Sequence, residues 1–558
     1  MKKLFYSLLL LIGSAMLFTS CSSSNDQGKL VPGDAALVVV IKGKNLMEKL
    51  PWSEIKQNPA IQELLGDSST PSEARLILEN PENSGIDINN DLVIFLKNDS
   101  STSAYLAFEG KLKDAAKFKA FNETMLKKKE VTEKDGISFL KNGEGCVSWK
   151  KDQFIYVAAT PGFNGLGGRR SYDEETESTP KKSIDAQAIC TQLFALDEAK
   201  SLAKEKRFTR LMESSGDAHL WMNSEQFYRA VENNRALLMF NLEKIYKGSV
   251  TTASLTFDNG KITVNTNSYS SEELAKIIDK YGGGKVNEDL LKSIPGKEVQ
   301  AVFAMNFKPE GLKEFLKLLN LDGYLNIATA QLGFNMDDFI KANKGDLLFA
   351  LTDLHMQKDT SYQLYENTEL STISRPAANF YFVTSIGDKD AFNKLINAGN
   401  KLAGSAFGGI EKSIGYSSNG TLFALSNSKE NAEKYLAGTK TNHDFISKIS
   451  GESIGAYVNV QSILKNTANG ENLDSLERQM MDVNLKFWDQ IIVRGGSKKD
   501  DAVQQSFEIL LQDKNSNSLK QLNQYATALT KIQQERQKKW QEAFPPAAMD
   551  TTVVPAKQ

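Results

Sequence analysis

The hydrophobic positions of the chain form a pattern that occurs twice. The segment 32–50 opens with Pro-Gly, continues as an apolar run and ends with two leucines four residues apart. The segment 295–316 has the same features in the same order. A short apolar run after a turn is typical of a buried strand, and leucines four residues apart lie on one face of a helix. We therefore predict a turn, a buried strand and an amphipathic helix in both segments.

Further matches follow in the same order along the two halves of the chain. The matched segments are 85–94 with 333–349, 104–125 with 379–402, 221–223 with 457–459, and 254–278 with 490–529. The last pair is a hairpin followed by a helix, and Asp258-Asn259-Gly260 is a strong turn signal in the first half. In the second half we predict that Gly495-Gly496-Ser497 joins the two strands. A shared order of features favours an internal duplication.

The predicted strands alternate apolar and polar residues or form short apolar runs beside hairpin turns, which favours antiparallel pairing. We predict an α+β fold of two tandem repeats, each with an antiparallel sheet covered by helices on one face. The units span residues 30–285 and 286–530, and each is long enough to bury its own core. We predict a tether at 21–29, a mobile insertion at 161–182, and a helix end with a disordered tail at 531–558.

The chain begins with a basic start followed by an apolar stretch over residues 4–18. As a helix, this stretch would span about 22 Å, which is short of a hydrocarbon core of about 30 Å. A short basic start and a short apolar segment are typical of a secretory signal peptide. We therefore predict that residues 1–20 are a signal peptide and take no part in the fold.

The residues around Cys21 resemble the cleavage site of a bacterial lipoprotein signal, in which small residues precede a cysteine. This resemblance implies cleavage before Cys21 and acylation of that residue, so that an N-terminal lipid attaches the protein to a membrane. Phe18 stands where such signals commonly have leucine, and a plainly cleaved signal with an incidental Cys21 is the alternative. Ser22 resembles outer-membrane sorting, which implies an outer-membrane lipoprotein on the periplasmic face or the cell surface.

Composition and charge exclude one class of partner. The 558 residues are 41% hydrophobic and 24% charged, with a formal net charge of −2, which is ordinary for a globular protein. A nucleic-acid-binding domain needs a basic footprint, so we predict no nucleic-acid partner. Cys146 and Cys190 lie in apolar surroundings. This favours buried, inert thiols, and a disulfide between them is the alternative.

Metal-binding and cofactor-binding motifs do not emerge from the sequence. The histidines His219, His355 and His443 lie far apart, and none belongs to an HExxH motif or neighbours paired cysteines. The run Gly-Gly-Gly-Lys at 282–285 lacks the spacing of a phosphate-binding loop, so we interpret it as a linker between the repeats. We therefore predict no metal, no cofactor and a structural role for His219.

The acidic and aromatic residues leave two functional alternatives open. Asp337-Asp338 and Asp500-Asp501 could serve a hydrolase as paired carboxylates, but aspartate pairs of this kind are typical of turns. Trp149 and Trp221 could form a glycan-binding platform, although Trp221 has Tyr457 as its counterpart in the second half, which favours a shared core contact. We predict no catalytic residues.

Four short features carry a resemblance to a known family. They are the signal peptide, the Pro-Gly entry into Val38-Val39-Val40, the block Gly85-Ile86-Asp87-Ile88 and the block Lys344-Gly345-Asp346-Leu347. Together they resemble a family of Bacteroidota lipoproteins catalogued as a domain of unknown function (number 4836), over nearly the whole mature chain. The resemblance implies an envelope location and lipidation at Cys21, and it implies no activity or catalytic residue.

These observations predict a lipid-anchored cell-envelope protein of unknown biochemical activity, most simply a non-enzymatic binding or scaffolding lipoprotein. Its partners would be the membrane, through the lipid on Cys21, and an envelope protein or glycan. An envelope hydrolase acting on glycan or peptide is one alternative. A glycan-binding surface module is the other.

Overall fold

The computed structural model describes most of the chain. The described residues are 27–68, 70–98, 103–128, 130–161, 184–228, 240–360, 372–406, 414–438, 440–468 and 473–543. The predictions for residues 1–20, for the tether up to residue 26, for the insertion beyond residue 161 and for the tail beyond residue 543 lie outside these ranges. Within the described residues the chain is a mixture of helix and strand, as predicted.

In these ranges the strands form one 18-stranded sheet. They are β1 Leu37–Lys42, β2 Asp91–Asn98, β3 Ser103–Lys111, β4 Thr132–Lys134, β5 Ile137–Asn142, β6 Gly145–Lys150, β7 Gln153–Pro161, β8 Ala218–Asn223, β9 Val250–Asp258, β10 Lys261–Tyr269, β11 Val299–Asn306, β12 Asn343–Thr360, β13 Thr372–Ile386, β14 Gly415–Ser418, β15 Leu422–Ser426, β16 Ile454–Asn459, β17 Trp488–Lys499 and β18 Ala502–Leu511.

The α-helices lie between and after these strands. They are α1 Gly43–Lys49, α2 Trp52–Ile55, α3 Pro59–Gly66, α4 Ser72–Glu79, α5 Ala115–Met125, α6 Ala186–Phe194, α7 Lys206–Glu213, α8 Ser224–Tyr228, α9 Glu243–Tyr246, α10 Glu272–Tyr281, α11 Glu288–Lys292, α12 Pro309–Leu318, α13 Asp322–Ala330, α14 Met336–Ala342, α15 Lys389–Ala406, α16 Lys429–Leu436, α17 Ile446–Ile449, α18 Val460–Ala468, α19 Ser475–Phe487 and α20 Ser518–Ala543. Short 3₁₀ helices cover Pro81–Ser84, Glu198–Lys200 and Leu202–Lys204.

The strands pair in one continuous order, and every pair is antiparallel, which confirms the predicted pairing. From one edge the order is β4, β5, β6, β7, β3, β2, β1, β8, β9, β10, β18, β17, β16, β11, β12, β13, β15 and β14. The two halves of the chain meet where β10 pairs with β18, from Lys261 opposite Leu510 to Ser268 opposite Val503. The strands of both halves therefore belong to one sheet.

Helices cover both faces of this sheet, so the prediction that they lie on one face is wrong. In β2, Val93 and Phe95 belong to one core cluster. Their neighbour Leu92 belongs to a different cluster, together with Phe118 of α5. Successive residues of a strand point to opposite faces. An unbroken apolar run such as 92–96 therefore needs apolar cover on both sides of the sheet.

Side-chain caps fix where several helices begin. Asp114, Asp185 and Ser271 each accept a hydrogen bond from the backbone N–H three residues later, at the starts of α5, α6 and α10. Asn335 and Asp474 form capping boxes at the starts of α14 and α19. Each cap satisfies a backbone donor that the helix itself leaves without a partner. These polar residues therefore fix the position at which each of these helices begins.

One predicted turn is wrong. Gly495-Gly496-Ser497 does not end a strand but forms a β-bulge inside β17, where the register shifts between Gly495 and Ser497. The chain turns later, at Asp500-Asp501, with Lys499 opposite Ala502. Gly495 and Gly496 have positive φ angles of 153° and 86°. Glycine supplies such angles in bulges as well as in turns, so the sequence signal is the same for both.

Candidate functional site: a polar cleft at the ends of strands β1, β2, β3 and β7

A cleft of about 230 Å³ lies where β1 and β3 end and where β2 and β7 begin. The start of α1, the loop before β2 and part of the N-terminal segment also line it. The lining residues are Gln27, Leu30, Lys42, Lys44, Asn45, Asn89, Asn90, Asp91, Val93, Glu109, Gly110, Lys111 and Gln153. Apart from Leu30, Val93 and Gly110, these side chains are polar or charged. The cleft is therefore suited to a small polar group.

Glu109 is the most unusual residue of the cleft. It lies on β3 between Val93 of β2 and Ile155 of β7, and 6% of its surface is exposed. Among the described residues its carboxyl has no hydrogen-bond or ion-pair partner. Burial disfavours the charged form of a carboxyl, and it raises the pKa of Glu109 to about 8. At neutral pH the carboxyl is therefore mostly protonated and can donate a hydrogen bond.

Lysines dominate the charge of the cleft. Lys42 donates to a carboxylate oxygen of Asp91 at 2.7 Å, and Gln27 donates to the same oxygen. Lys44 and Lys111 also line the cleft. The other lining carboxyl, Glu109, is mostly protonated at neutral pH. Three lysines therefore line the cleft beside a single carboxylate, that of Asp91. The electrostatic potential therefore favours an anionic group on a ligand.

The corresponding end of the second half keeps one feature of the cleft. Asp91 lies opposite Lys42 in the pair β1–β2, and Asp346 lies opposite Asn306 in the pair β11–β12. Asn306 donates to the Asp346 carboxylate at 2.8 Å. Both ends of the sheet thus have a hydrogen-bonded aspartate near the start of the second strand.

The strand next to this aspartate differs between the halves. Val383 of β13 lies opposite Leu348, as Glu109 of β3 lies opposite Val93. Val383 is fully buried in the core of the second half. Two residues further on, the second half has Ser385 in place of a lysine. The same strand pairing therefore forms with a valine, and the fold does not require a carboxyl at this position.

The histidines lie in separate surroundings and share no site. His219 is buried in β8, where its Nε2 is 3.2 Å from the carbonyl oxygen of Ser214, and burial lowers its pKa. In His355, Nδ1 is 2.9 Å from the carbonyl oxygen of Asp353. His443 stacks on a phenylalanine ring at 5.4 Å. Within the part of the chain that the structure describes, no group of three or more His, Cys, Asp and Glu side chains could hold a metal ion.

Neither acidic pair lines the cleft, and each pair has a member that binds a basic side chain. Asp337 and Asp338 lie in the first turn of helix α14, not in a turn between elements as predicted. Lys313 binds Asp337 and lowers its pKa. Asp501 does lie in a turn, where Arg210 donates to it at 2.8 Å and lowers its pKa. The lowered pKa values of Asp337 and Asp501 keep both carboxyls ionised, which does not suit them to proton donation.

The glycine run 282–285 connects α10 to α11 and lies against β11. The backbone N–H of Gly284 donates to Oδ1 of Asn306 at 2.7 Å. A Cβ atom on Gly283 would lie 1.9 Å from the carbonyl oxygen of Asn306. Close backbone approach therefore explains the glycine at position 283, and the run is the connection between the two halves of the chain.

Trp149 and Trp221 are buried, with 8% and 1% of their surfaces exposed. Trp149 packs edge-to-face on Phe118 with 5.7 Å between ring centroids, and Trp221 packs on Phe208 at 5.9 Å. Tyr457, the counterpart of Trp221 in the second half, is also buried. The predicted core contact is confirmed, and neither tryptophan offers a glycan an exposed ring.

The sequence analysis did not identify the cleft, although one signal was present. Glu109 stands as a lone acid within an otherwise apolar strand, and the matched strand of the second half has Val383 there. Only the strand register makes Glu109 and Val383 equivalent, because the matched segments 104–125 and 379–402 align Val383 with Phe108 instead. Lys42, Asp91 and Lys111 carry no comparable signal, because charged residues at strand ends are common on any protein surface.

The predicted signal peptide at 1–20 and the lipid site at Cys21 lie outside the described residues. They stay predictions from the sequence. Among the helices that the structure describes, none combines the length and the hydrophobicity needed to cross a membrane.

Known proteins provide a family and two distant structural matches. No curated protein matches the chain. A structure titled crystal form I of TP0453 is similar, with 10% sequence identity and a TM-score of 0.23, covering 45% of this chain and 80% of that chain. For crystal form IV of TP0453 the identity is 11% and the TM-score 0.24, covering 44% of this chain and 81% of that chain.

A family model described as Domain of unknown function (DUF4836) matches residues 28–406, which is more than half of the chain. The match includes all the lining residues of the cleft except Gln27, and it continues across the predicted boundary between residues 285 and 286. This chain therefore belongs to the DUF4836 family, as its short motifs predicted.

Proposed function

We propose that this protein is a lipid-anchored cell-envelope protein of the Bacteroidota type, and that it binds a ligand in its cleft without catalysing a reaction. The lipid on Cys21 would hold it at the outer membrane, on the periplasmic face or the cell surface. The signal-like segment 1–20 and the cysteine that follows it support the anchor. The polar cleft supports the binding role.

The binding role rests on the carboxyl of Glu109, which has no polar partner among the described residues. The fold accepts Val383 at the equivalent position, so a structural need does not account for the acid. Its protonated carboxyl opens onto the cleft, where it can donate a hydrogen bond to a ligand that accepts one. The cleft lysines would attract a negative charge on the same ligand. We infer a small ligand that carries an anionic group such as phosphate.

The distance between the anchor and the cleft supports a ligand at the membrane surface. Gln27 donates to Asp91 inside the cleft, and it lies six residues after Cys21. An extended chain spans at most about 3.5 Å per residue, so the anchor and the cleft would lie within about 20 Å of each other. A cleft at that distance from the lipid would face the layer of phosphate headgroups.

Binding can be tested with inorganic phosphate as the probe and the melting temperature of the purified protein at pH 7 as the readout. We expect the melting temperature of the wild type to rise with phosphate concentration at constant ionic strength, because the probe would bind only the folded state. Glu109→Val, which copies the second half, and Lys111→Gln should lose most of this rise. Lys247→Gln is the control. Lys247 directly follows the last residue of α9 and its side chain is 71% exposed, so this variant should keep the rise. Equal responses in all four proteins, or no response in the wild type, would contradict the binding proposal.

The anchor has a separate test in the native cell. Cys21→Ala should abolish labelling with radioactive palmitate and move the protein out of the membrane fraction. Ser24→Ala, three residues further along, should change neither. Membrane partitioning that is unaffected by Cys21→Ala would count against the lipid anchor.

A hydrolase acting on glycan or peptide is the second candidate, because a carboxyl that is protonated at neutral pH can serve as a general acid. The other lining carboxylate, Asp91, is already held by Lys42 and Gln27, which disfavours a role as general base. Glu109→Gln separates the two candidates. The amide can still donate a hydrogen bond to a ligand, but it cannot transfer a proton. Turnover of glycan or peptide substrates by the wild type that is lost in Glu109→Gln would favour the hydrolase.

We also propose that the two halves are tandem repeats that arose by duplication. The pairing order supports this, since β1 pairs with β2 and β8 as β11 pairs with β12 and β16. Likewise β3 pairs with β7 as β13 pairs with β15. The strands that join the halves, β10 and β18, are the last strands of their own halves. Units 30–285 and 286–530 should then each fold alone.

A further inference from the structure

Two thiols that take no part in the cleft meet in the core of the first half. Cys146 lies on β6, opposite Val157 of β7, and Cys190 lies on α6, which packs on both of these strands. The two residues are 2% and 0% exposed, and they belong to the same core cluster. Both are free thiols in the structure. Their burial is as the sequence predicted.

The two thiols lie close enough to change each other's ionisation. The Cys190 thiol lowers the pKa of Cys146, and the Cys146 thiol raises the pKa of Cys190. Ser148, also on β6, lowers the pKa of Cys190. Cys146 and Cys190 therefore lie in the same buried layer, where α6 packs on β6.

We propose that Cys146 and Cys190 form a disulfide that links strand β6 to helix α6 when the chain folds in an oxidising compartment. The reaction is thiol–disulfide exchange with a disulfide oxidant. The thiolate of one cysteine attacks the oxidant and breaks its S–S bond, and the second cysteine then displaces the remaining oxidant sulfur. The S–S bond between Cys146 and Cys190 forms, and the oxidant leaves as two thiols that carry the two protons and the two electrons.

Burial determines when this bond can form. In the folded protein both sulfur atoms are shielded from solvent, so an oxidant in solution cannot reach them. The exchange is therefore expected during folding, before α6 closes over β6. Once formed, the link restricts the unfolded chain between two elements that are distant in sequence, which stabilises the folded state.

Peptide mapping of the full-length protein tests the proposal. The protein is unfolded and reduced, refolded in a glutathione redox buffer, treated with iodoacetamide to block free thiols and digested with trypsin without reductant. Cleavage after lysine yields peptides 142–150 and 183–200, which contain Cys146 and Cys190 separately from Cys21. We expect most of both peptides in one cross-linked species, which separates on addition of reductant. Recovery of both peptides in alkylated form, or a cross-link from either of them to Cys21, would overturn the proposal.

Thermal melting provides the second readout. The oxidised protein should melt roughly 2–4 °C above the reduced protein. Cys190→Ala should melt at the same temperature with and without reductant, since it cannot form the link. A wild type that melts at the same temperature after refolding in the glutathione buffer as after refolding in excess reductant would contradict the proposal. The peptide map of the unaltered chain decides the outcome even if the variant does not fold.

Discussion

Equivalent strand ends in the two halves of the chain bury different side chains. In the first half, Glu109 lies between two neighbouring strands and opens onto a cleft lined by lysines. In the second half, Val383 occupies the equivalent position and is closed within an apolar core. Both ends keep a hydrogen-bonded aspartate, Asp91 or Asp346, near the start of the adjacent strand. What the two ends share belongs to the fold, and what one end alone has is the better guide to a site.

The largest effect is expected from placing an acid at the equivalent position of the second half. Val383→Glu would place a carboxyl in a core without a cleft or a lysine beside it. We expect the free energy of unfolding to fall by about 3 kcal/mol or more at pH 7, measured by urea denaturation. Ser418→Glu, at an exposed position of β14, is the control and should change it by less than about 0.5 kcal/mol. Similar losses in both variants would mean that the two ends do not differ as described.

The pH dependence of stability tests whether the carboxyl of Glu109 is buried in the folded protein. The pKa of Glu109 is raised in the folded state from 4.5 to about 8, so the folded protein holds this proton more tightly than the unfolded chain does. The stability from this group is fully present below about pH 4.5 and is lost as the pH rises through 8. We expect the free energy of unfolding of the wild type to fall by roughly 4 kcal/mol between pH 5 and pH 9 relative to Glu109→Gln. Parallel curves for the two proteins would refute the raised pKa.

Separating the halves tests whether each end of the sheet is self-sufficient. Residues 22–285 and 286–543, produced separately, should each melt in one cooperative transition. Each should melt at least about 4 °C below the intact protein, because the pairing of β10 with β18 is lost. The first half should keep the response to phosphate, since the lining residues of the cleft all belong to it. Failure of both halves to fold would contradict the proposed repeat boundary.

The smallest expected effect is a difference in salt dependence between substitutions of Asp91 and Asp346. Asp91 is held by the partly exposed Lys42 and Asp346 by the neutral Asn306. Asp91→Asn should lower the free energy of unfolding by about 1 kcal/mol at low ionic strength, and salt should reduce this loss because ions screen the pair. The loss from Asp346→Asn should be about the same at low and high salt. Denaturation curves at two salt concentrations measure both, and an equal salt dependence would contradict the assignment.

The strands and their order along the chain could be predicted from the sequence, but their assembly into one sheet could not. The segments 32–50 and 295–316 predict the same turn, strand and helix, and both triplets are present. The joining of the halves through β10 and β18 has no local signal, since an edge strand's backbone groups can pair with any free edge. The cover on both faces was readable in principle from the unbroken apolar run 92–96, which is typical of a strand buried on both sides. The cleft depends on where four strand ends meet, which only the assembled sheet defines.

The pairing of β10 with β18 has a consequence for how the molecule is made. β10 ends at Tyr269, but its partner β18 ends at Leu511, more than two hundred residues later. A first half that folds before β18 is available has an unpaired strand edge, which invites pairing with other chains. The last strand of the described chain therefore covers this edge, and a chaperone that holds the exported chain until β18 is available would suppress aggregation more than one that acts later.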